Sequence, residues 1–335
     1  MEKVKKLKLI LKKKKLDGYL IPKNDEFFSE YIPEHNDRLK YISNFSGSYG
    51  FALILKNKNY LFVDGRYTIQ AKSQSGKNFN IIEIHKKQPW KVLKHKIKIG
   101  FNPYCFTSLS LRRHFKNYFT LVPIYKDLII KKEKKESNGK FYFIKDNVSG
   151  ESSKSKLKKV LKHLYEDNSE FLYVSAPENV AWLLNIRGKD NPYSPIPNCR
   201  LILKNNGKIY LFANKSKIQN SLLKNNPLKI EVINENKTDF FLKNINCKKI
   251  ILDRLSCCLA YERIIKKKAI ISNLNDPIYK MKSIKNDTEI KNFIKSHILD
   301  GVAVIKFLYW AKNCKKNITE LDAEKKLNFF RKKSK

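Results

Sequence analysis

The chain has 335 residues, 42% of them apolar, and carries 70 Lys and Arg against 31 Asp and Glu, a formal net charge of +39. That apolar share suffices for packed cores and excludes wholesale disorder, and the length suits two domains with part of a third. The charge invites a polyanion. However, lysine runs such as 12–15 and 266–268 are spread along the chain, and Ile and Asn, which share A/T-rich codons with Lys, are abundant too. A protein that grips phosphate is expected to favour the planar fork of Arg, so nucleic acid is disfavoured as a partner.

In chain order, 1–16 reads as an amphipathic helix with Val4, Leu7 and Leu11 on one face. A short strand follows at 18–22. The run 53–63, broken by Lys56-Asn57-Lys58, reads as a β-hairpin. Beyond it, 68–72 is helical, 80–84 a strand, Trp90 opens a helix, and 98–101 is another strand. The order then begins again: a helix at 153–166, a strand at 171–175, and a second hairpin at 201–213, 148 residues after the first. Strands follow at 229–233 and 249–253. Upstream of each hairpin lies a related stretch, Tyr41-Ile42-Ser43-Asn44-Phe45-Ser46-Gly47 and Trp182-Leu183-Leu184-Asn185-Ile186-Arg187-Gly188. Strands alternating with helices, used twice, predict a duplicated α/β unit with mixed sheets. The copies join through the polar run 131–152, and a second join falls near 273–277.

The last stretch differs. Asn286-Asp287-Thr288-Glu289 is a helix-start signature, and Ile290, Phe293, Ile294, Ile298, Val302, Ile305, Leu308 and Tyr309 form a broad apolar stripe after it. A further helix over 320–332 adds Leu321, Leu327 and Phe330. Two helices cannot bury so much apolar surface alone.

No segment approaches the eighteen or so apolar residues of a membrane span, and lysines interrupt the N-terminal apolar residues, so neither a membrane partner nor a signal peptide is expected. Six cysteines show no C-x-x-C pair, and adjacent Cys257-Cys258 lack zinc-ligand spacing. Reduced thiols in a cytoplasmic protein are the expectation.

Several motifs carry a resemblance. They are Phe28-Ser29-Glu30-Tyr31-Ile32-Pro33, Asn36-Asp37-Arg38, the run 42–50, Phe62-Val63-Asp64-Gly65-Arg66-Tyr67, Ala181 to Gly188, Pro277 to Asn286, and His297 to Ala303. In order and at compatible spacing, this set resembles the N-terminal portion of the long, three-domain Xaa-Pro aminopeptidases, of the creatinase/pita-bread metallopeptidase family. The resemblance implies two tandem creatinase-N-terminal-like domains plus the first helices of a truncated pita-bread domain. The boundaries expected are 1–133, a linker at 134–152, 153–274, and 275–335.

The resemblance further implies a reaction. The family removes an N-terminal residue that precedes proline, using two divalent metals, typically manganese, held by two Asp, one His and two Glu to activate a bridging water. The family's ligand motifs lie C-terminal to a stretch like 329–334, so the expectation is no metal and no peptidase activity in this chain alone. Peptides with proline second would be the substrates of a complete enzyme, and a separately encoded C-terminal half or a homodimer partner is compatible. The alternative is a stand-alone binding or assembly module; a charge-driven nucleic-acid binder ranks below it.

No catalytic or metal-ligating residue is assigned. His297 and Asp300, three apart on one helix, are read as an ordinary helix face. Gly47-Ser48-Tyr49-Gly50 precedes a strand and lacks Lys-Ser/Thr, so it is a tight turn and not a phosphate loop. Glu30, Asp37, Arg38, Asp64 and Arg66 are the candidate groove or substrate-edge residues, against the plainer reading of local ion pairs and a turn that pins the next helix. The loop Asn191 to Pro197 edges a site mouth or is a rigid surface loop.

Overall fold

The computed structural model describes residues 2–93, 96–115, 118–129, 139–218 and 228–334. Residues 131–138 of the expected joining run lie outside the described residues.

The first module opens with α1 (Glu2–Lys13), whose Val4, Leu7 and Leu11 are buried. Then come β1 (Gly18–Pro22), α2 (Arg38–Ser43), β2 (Gly50–Leu55), β3 (Asn59–Val63), α3 (Thr68–Ser75) and β4 (Asn80–Glu83). The module closes with α4 (Pro89–Val92), β5 (Lys98–Phe101), α5 (Ser108–Phe115) and β6 (Thr120–Pro123). The sheet order is β4-β3-β2-β1-β5-β6. All five residues of β1 are buried, because the strand lies centrally, antiparallel to β2 and parallel to β5, with both faces covered. The predicted hairpin is β2–β3, pairing Phe51 with Phe62. Gly50 is required where it begins: its φ is +153°, and a Cβ there would lie 2.7 Å from the Phe62 carbonyl oxygen.

The second module repeats this plan. Its elements are β7 (Tyr142–Phe143), α6 (Asp146–Ser149), α7 (Ser153–Glu166), β8 (Phe171–Val174), α8 (Pro177–Leu184), β9 (Ile186–Arg187), β10 (Cys199–Lys204) and β11 (Ile209–Ala213). These are followed by β12 (Ile230–Asn234), α9 (Thr238–Lys243), β13 (Lys249–Leu252), α10 (Leu259–Lys266) and β14 (Ile270–Ile271). The sheet order, β12-β11-β10-β8-β13-β14, reproduces the first strand for strand. So does the sense of every pairing: antiparallel β8–β10–β11, parallel β11–β12, β8–β13 and β13–β14.

The duplication reaches single backbone angles. Asn44 ends α2 at φ 65° and Asn185 ends α8 at φ 53°, both left-handed, and the two asparagines occupy the same place in the related stretches 41–47 and 182–188. Asparagine tolerates this conformation better than most side chains.

The described part of the polar run 131–152 is partly built in. Phe141 is buried, its N–H donates to Lys217 O at 2.9 Å, and β7 pairs with β9. Nothing in the sequence pattern announced this two-stranded ribbon.

The chain divides into two compact units, one comprising 1–143 with 153–279, the other 144–152 with 280–335. Past α11 (Ile278–Ser283), the second unit contains α12 (Asp287–Asn313) and α13 (Glu320–Lys333). The predicted capping box forms: Asn286 Oδ1 accepts from Glu289 N at 2.9 Å, and Glu289 Oε2 accepts from Asn286 N at 3.0 Å. Asn286 Nδ2 also donates to Ser149 O, tying α12 to α6. Among the residues of α12 only Ala303 is buried.

Candidate functional site

Apart from α6, both modules lie in the first unit, and their junction is where polar side chains collect. The turn after β5 and the start of α10 meet backbone to backbone. Leu259 N donates to Phe106 O at 2.8 Å and Ala260 N to Pro103 O at 3.1 Å. A helix leaves its first N–H groups without intrahelical acceptors; here the other module supplies them, since Cys258 offers α10 no side-chain cap. Leu259 joins the core cluster of Phe101, Phe106 and Leu111 in the first module. Tyr104 Oη donates to Asp239 Oδ2 at 2.5 Å.

Arg200 is the central polar residue of the junction. It stands on β10 among apolar neighbours and is 5% exposed. Its guanidinium donates through Nη2 to the Glu26 carbonyl and packs on the rings of Phe27, at 4.2 Å from the centroid, and Tyr261, at 5.1 Å. Sandwiching a guanidinium between ring faces compensates its desolvation in part. Burial in turn pushes the Tyr261 hydroxyl up to about 12.

Two clefts open at the junction, and Arg200 lines the first of them. The first, about 280 Å³, is polar; Arg200, Glu26, Glu235 and the Lys217–Asp190 ion pair line it. Asp190 Oδ2 also accepts from Asn198 N at 2.7 Å. The second, about 240 Å³, is walled by Phe27, Phe28 and Tyr31 with Glu30 and Glu178. The segment 25–31 borders both. Asp25 shapes it, its Oδ1 accepting from Phe27 N and Ser29 N, each at 3.0 Å. Burial foremost, with the neighbouring Glu26 charge, raises the Asp25 carboxyl above the ordinary range.

The five sequence-predicted residues are not brought together. Glu30 is exposed on the second cleft. Asp37 is buried; it takes Lys23 Nζ at 2.5 Å and caps α2 through Lys40 N at 2.9 Å. Arg38 is buried behind the first cleft, its Nε 2.6 Å from Asp127 Oδ2 and its Nη2 on Glu26 Oε1. Asp64 and Arg66 line neither cleft and pair with each other at 2.6 Å, where Asp64 caps the short turn 65–67. The loop 191–197 contributes Asn191, Ser194 and Ile196 to the second cleft. Sequence reasoning missed Arg200, Tyr104 and Tyr261. Arg200 had a signal, an arginine set against the apolar run 201–203.

The described residues do not fit the dinuclear metal centre that the resemblance implies. Among them, no group of three or more His, Cys, Asp and Glu side chains converges. Arg331 holds Asp300 at 2.6 and 3.2 Å, and His297 Nδ1 contacts Phe293 O at 2.8 Å. All six cysteines are free. Burial raises the Cys105 and Cys257 thiols well above their ordinary range and Cys258 to about 11, which makes them poor nucleophiles. No helix among the described residues is long and apolar enough to cross a membrane.

Two like-wound α/β modules joined around a buried arginine define the class. Residues 3–128 and 132–289 each match the creatinase/prolidase N-terminal domain. The chain belongs to this family, as a tandem of two such domains. It is 29% identical to Xaa-Pro aminopeptidase 1 of Dictyostelium discoideum, over 98% of this chain and 57% of that protein. It is also 29% identical to Xaa-Pro aminopeptidase ApepP of Drosophila melanogaster, over 94% of this chain and 55% of that protein. The chain thus spans a little over half the length of these relatives. The crystal structure of X-prolyl aminopeptidase from Caenorhabditis elegans shares the fold, with a TM-score of 0.86 over 99% of this chain and 59% of that one, at 23% identity.

Proposed function

We propose that this chain is the non-catalytic, two-module portion of an Xaa-Pro aminopeptidase and has no peptidase turnover by itself. The observation that carries the reading is the likeness along nearly the whole chain to proteins named Xaa-Pro aminopeptidase, spanning 57% of the first of them. The absence of a converging ligand set among the described residues supports it. In this reading the metal ligands reside in the part of those relatives that this chain does not span. The Caenorhabditis enzyme is described as cytosolic with a di-nuclear active site, and we extend that setting here: a cytoplasmic protein, two manganese ions in the complete enzyme, and peptides with proline second as its substrates.

The modules, taken as 1–133 and 153–274 with 275–335 opening a third domain, serve as a scaffold. Glu30 edges its groove, while Asp37 and Arg38 hold the groove's supporting loop. The test is an assay of the purified 335-residue chain with Mn²⁺ and an Arg-Pro-Pro peptide. No release of the N-terminal residue is expected; chelator-sensitive turnover would overturn the reading. Adding a separately produced C-terminal segment from a relative should restore turnover if a second polypeptide supplies the metal ligands.

A further inference from the structure

The second cleft has a chemistry at odds with the chain that forms it. Lys and Arg outnumber Asp and Glu by 70 to 31 in the sequence, yet among the described residues no Lys, Arg or His lines this cleft, whereas Glu30 and Glu178 do. Glu30 is exposed and makes no ion pair among the described residues. Asn191, on the same wall, holds a buried Oδ1 that meets no donor among the described residues. Acceptors therefore predominate.

Three aromatic rings share the remaining wall with Ser29, Pro177, Ser194 and Ile196. Phe27, Phe28 and Tyr31 line the cavity. The Tyr31 ring meets Tyr193 edge-on at 5.6 Å, and Tyr193 is 90% exposed. Aromatic faces attract cations through their quadrupole, and carboxylates attract them by charge. Both features here converge on a cavity of about 240 Å³. Backbone angles follow the same map. Of the six non-glycine residues with positive φ among the described residues, four are Lys15 and three asparagines; the other two are Phe28 at 56° and Tyr193 at 62°. Side chains other than Asn and Asp seldom take this region, and the two aromatic residues that do are in the cleft wall and at its rim.

We propose that this cleft binds an organic cation, the guanidinium or ammonium group of a peptide side chain, with Glu30 as its counter-ion and Tyr31 and Tyr193 as the aromatic wall. Such a site needs no metal centre and no second polypeptide. The long-range field of a chain at +39 repels cations, so saturable cation binding would report a local site and not general adhesion.

The experiment titrates the 335-residue chain with N-acetyl-arginine amide and with its neutral isostere N-acetyl-citrulline amide, followed by calorimetry. Saturable binding of the arginine probe is expected, roughly tenfold tighter than the citrulline probe, the scale of one charge-assisted contact. Glu30→Gln should abolish that preference, Tyr31→Ala should weaken the arginine probe about fivefold, and Glu320→Gln, elsewhere in the chain, should change nothing. Circular dichroism checks that each variant is folded. No saturable binding, equal binding of the two probes, or an arginine preference retained in a folded Glu30→Gln would each overturn the proposal.

Discussion

Tyr104 donates a 2.5 Å hydrogen bond to Asp239, which joins the turn after β5 in the first module to α9 in the second. Burial first, then the Asp239 carboxylate, raises the Tyr104 hydroxyl above its ordinary range, so it stays a donor through the alkaline range where free tyrosines ionise. Tyr104→Phe removes the bond and leaves the ring contact with Tyr261 at 5.5 Å in place. A bond to a charged acceptor contributes about 1.5–3 kcal/mol. The urea midpoint should fall accordingly with an unchanged slope, and a midpoint equal to wild type would show that the bond contributes nothing.

Arg200 offers the larger effect. Arg200→Met keeps much of the volume but strips the donor from the Glu26 carbonyl and the cation from between Phe27 and Tyr261. A loss of about 2–4 kcal/mol is expected. Arg200→Lys should recover little of it, because an ammonium cannot stack as a planar guanidinium does. Chemical denaturation of the three proteins, run together, decides the order.

The asparagines that close α2 and α8 give a paired test. Alanine at either position must take the left-handed conformation at a cost of about 1–2 kcal/mol, whereas glycine takes it freely. Asn44→Gly should therefore be nearly neutral. Asn185→Gly should not, because Asn185 Oδ1 accepts from Lys156 Nζ at 2.7 Å, and that lysine is only 1% exposed. A further cost of about 1–3 kcal/mol follows from leaving a buried ammonium short of an acceptor. Equal thermal midpoints for the two glycine variants would contradict this assignment of roles.

These cases show what could be read in advance. The apolar strings 53–63 and 201–213, with asparagine at matching places upstream, made the duplication and both hairpins legible, because strand alternation and turn chemistry are local. Helix α7 was legible from its apolar spacing, although Lys156 occupies a core position beside Leu157, Val160 and Leu164. The junction was not legible. Tyr104, Arg200 and Tyr261 meet only through tertiary packing, over separations that no periodicity encodes. Glu30 could be suspected as a groove residue, but nothing local told that the groove would be aromatic.

Asp25 sets a pH dependence. Its folded-state pKa is raised above the ordinary 3.8, burial being the main cause. The folded protein holds this proton more tightly than the unfolded chain, so the group supports folding below about 3.8 and opposes it progressively as pH rises from there towards the folded value. Asp25→Asn keeps an Oδ1 acceptor for Phe27 N and Ser29 N and removes the titration. Relative to wild type, the variant's stability should improve between pH 4 and pH 7. Urea midpoints across that range check it, and parallel pH profiles would mean that Asp25 is ionised in both states.

The helical unit carries the last prediction. Ile294, Ile298, Ile305 and Tyr309 on α12 are exposed, Ile305 at 68%. An apolar stripe of this extent promotes association because each isoleucine gains about 1.5–3 kcal/mol on leaving water. The net charge of +39 opposes contact between copies, so association should strengthen as salt screens that repulsion. Light scattering of the purified chain should show mass rising with concentration, more steeply in 0.5 M NaCl than in 0.05 M. Ile298→Lys with Ile305→Lys should suppress that rise while helicity is retained, since lysine is as good a helix former as isoleucine or better. If the double variant associated as wild type does, α12 would not be the adhesive face, and the exposed apolar residues of α13, Leu321 and Phe329, would be next to substitute.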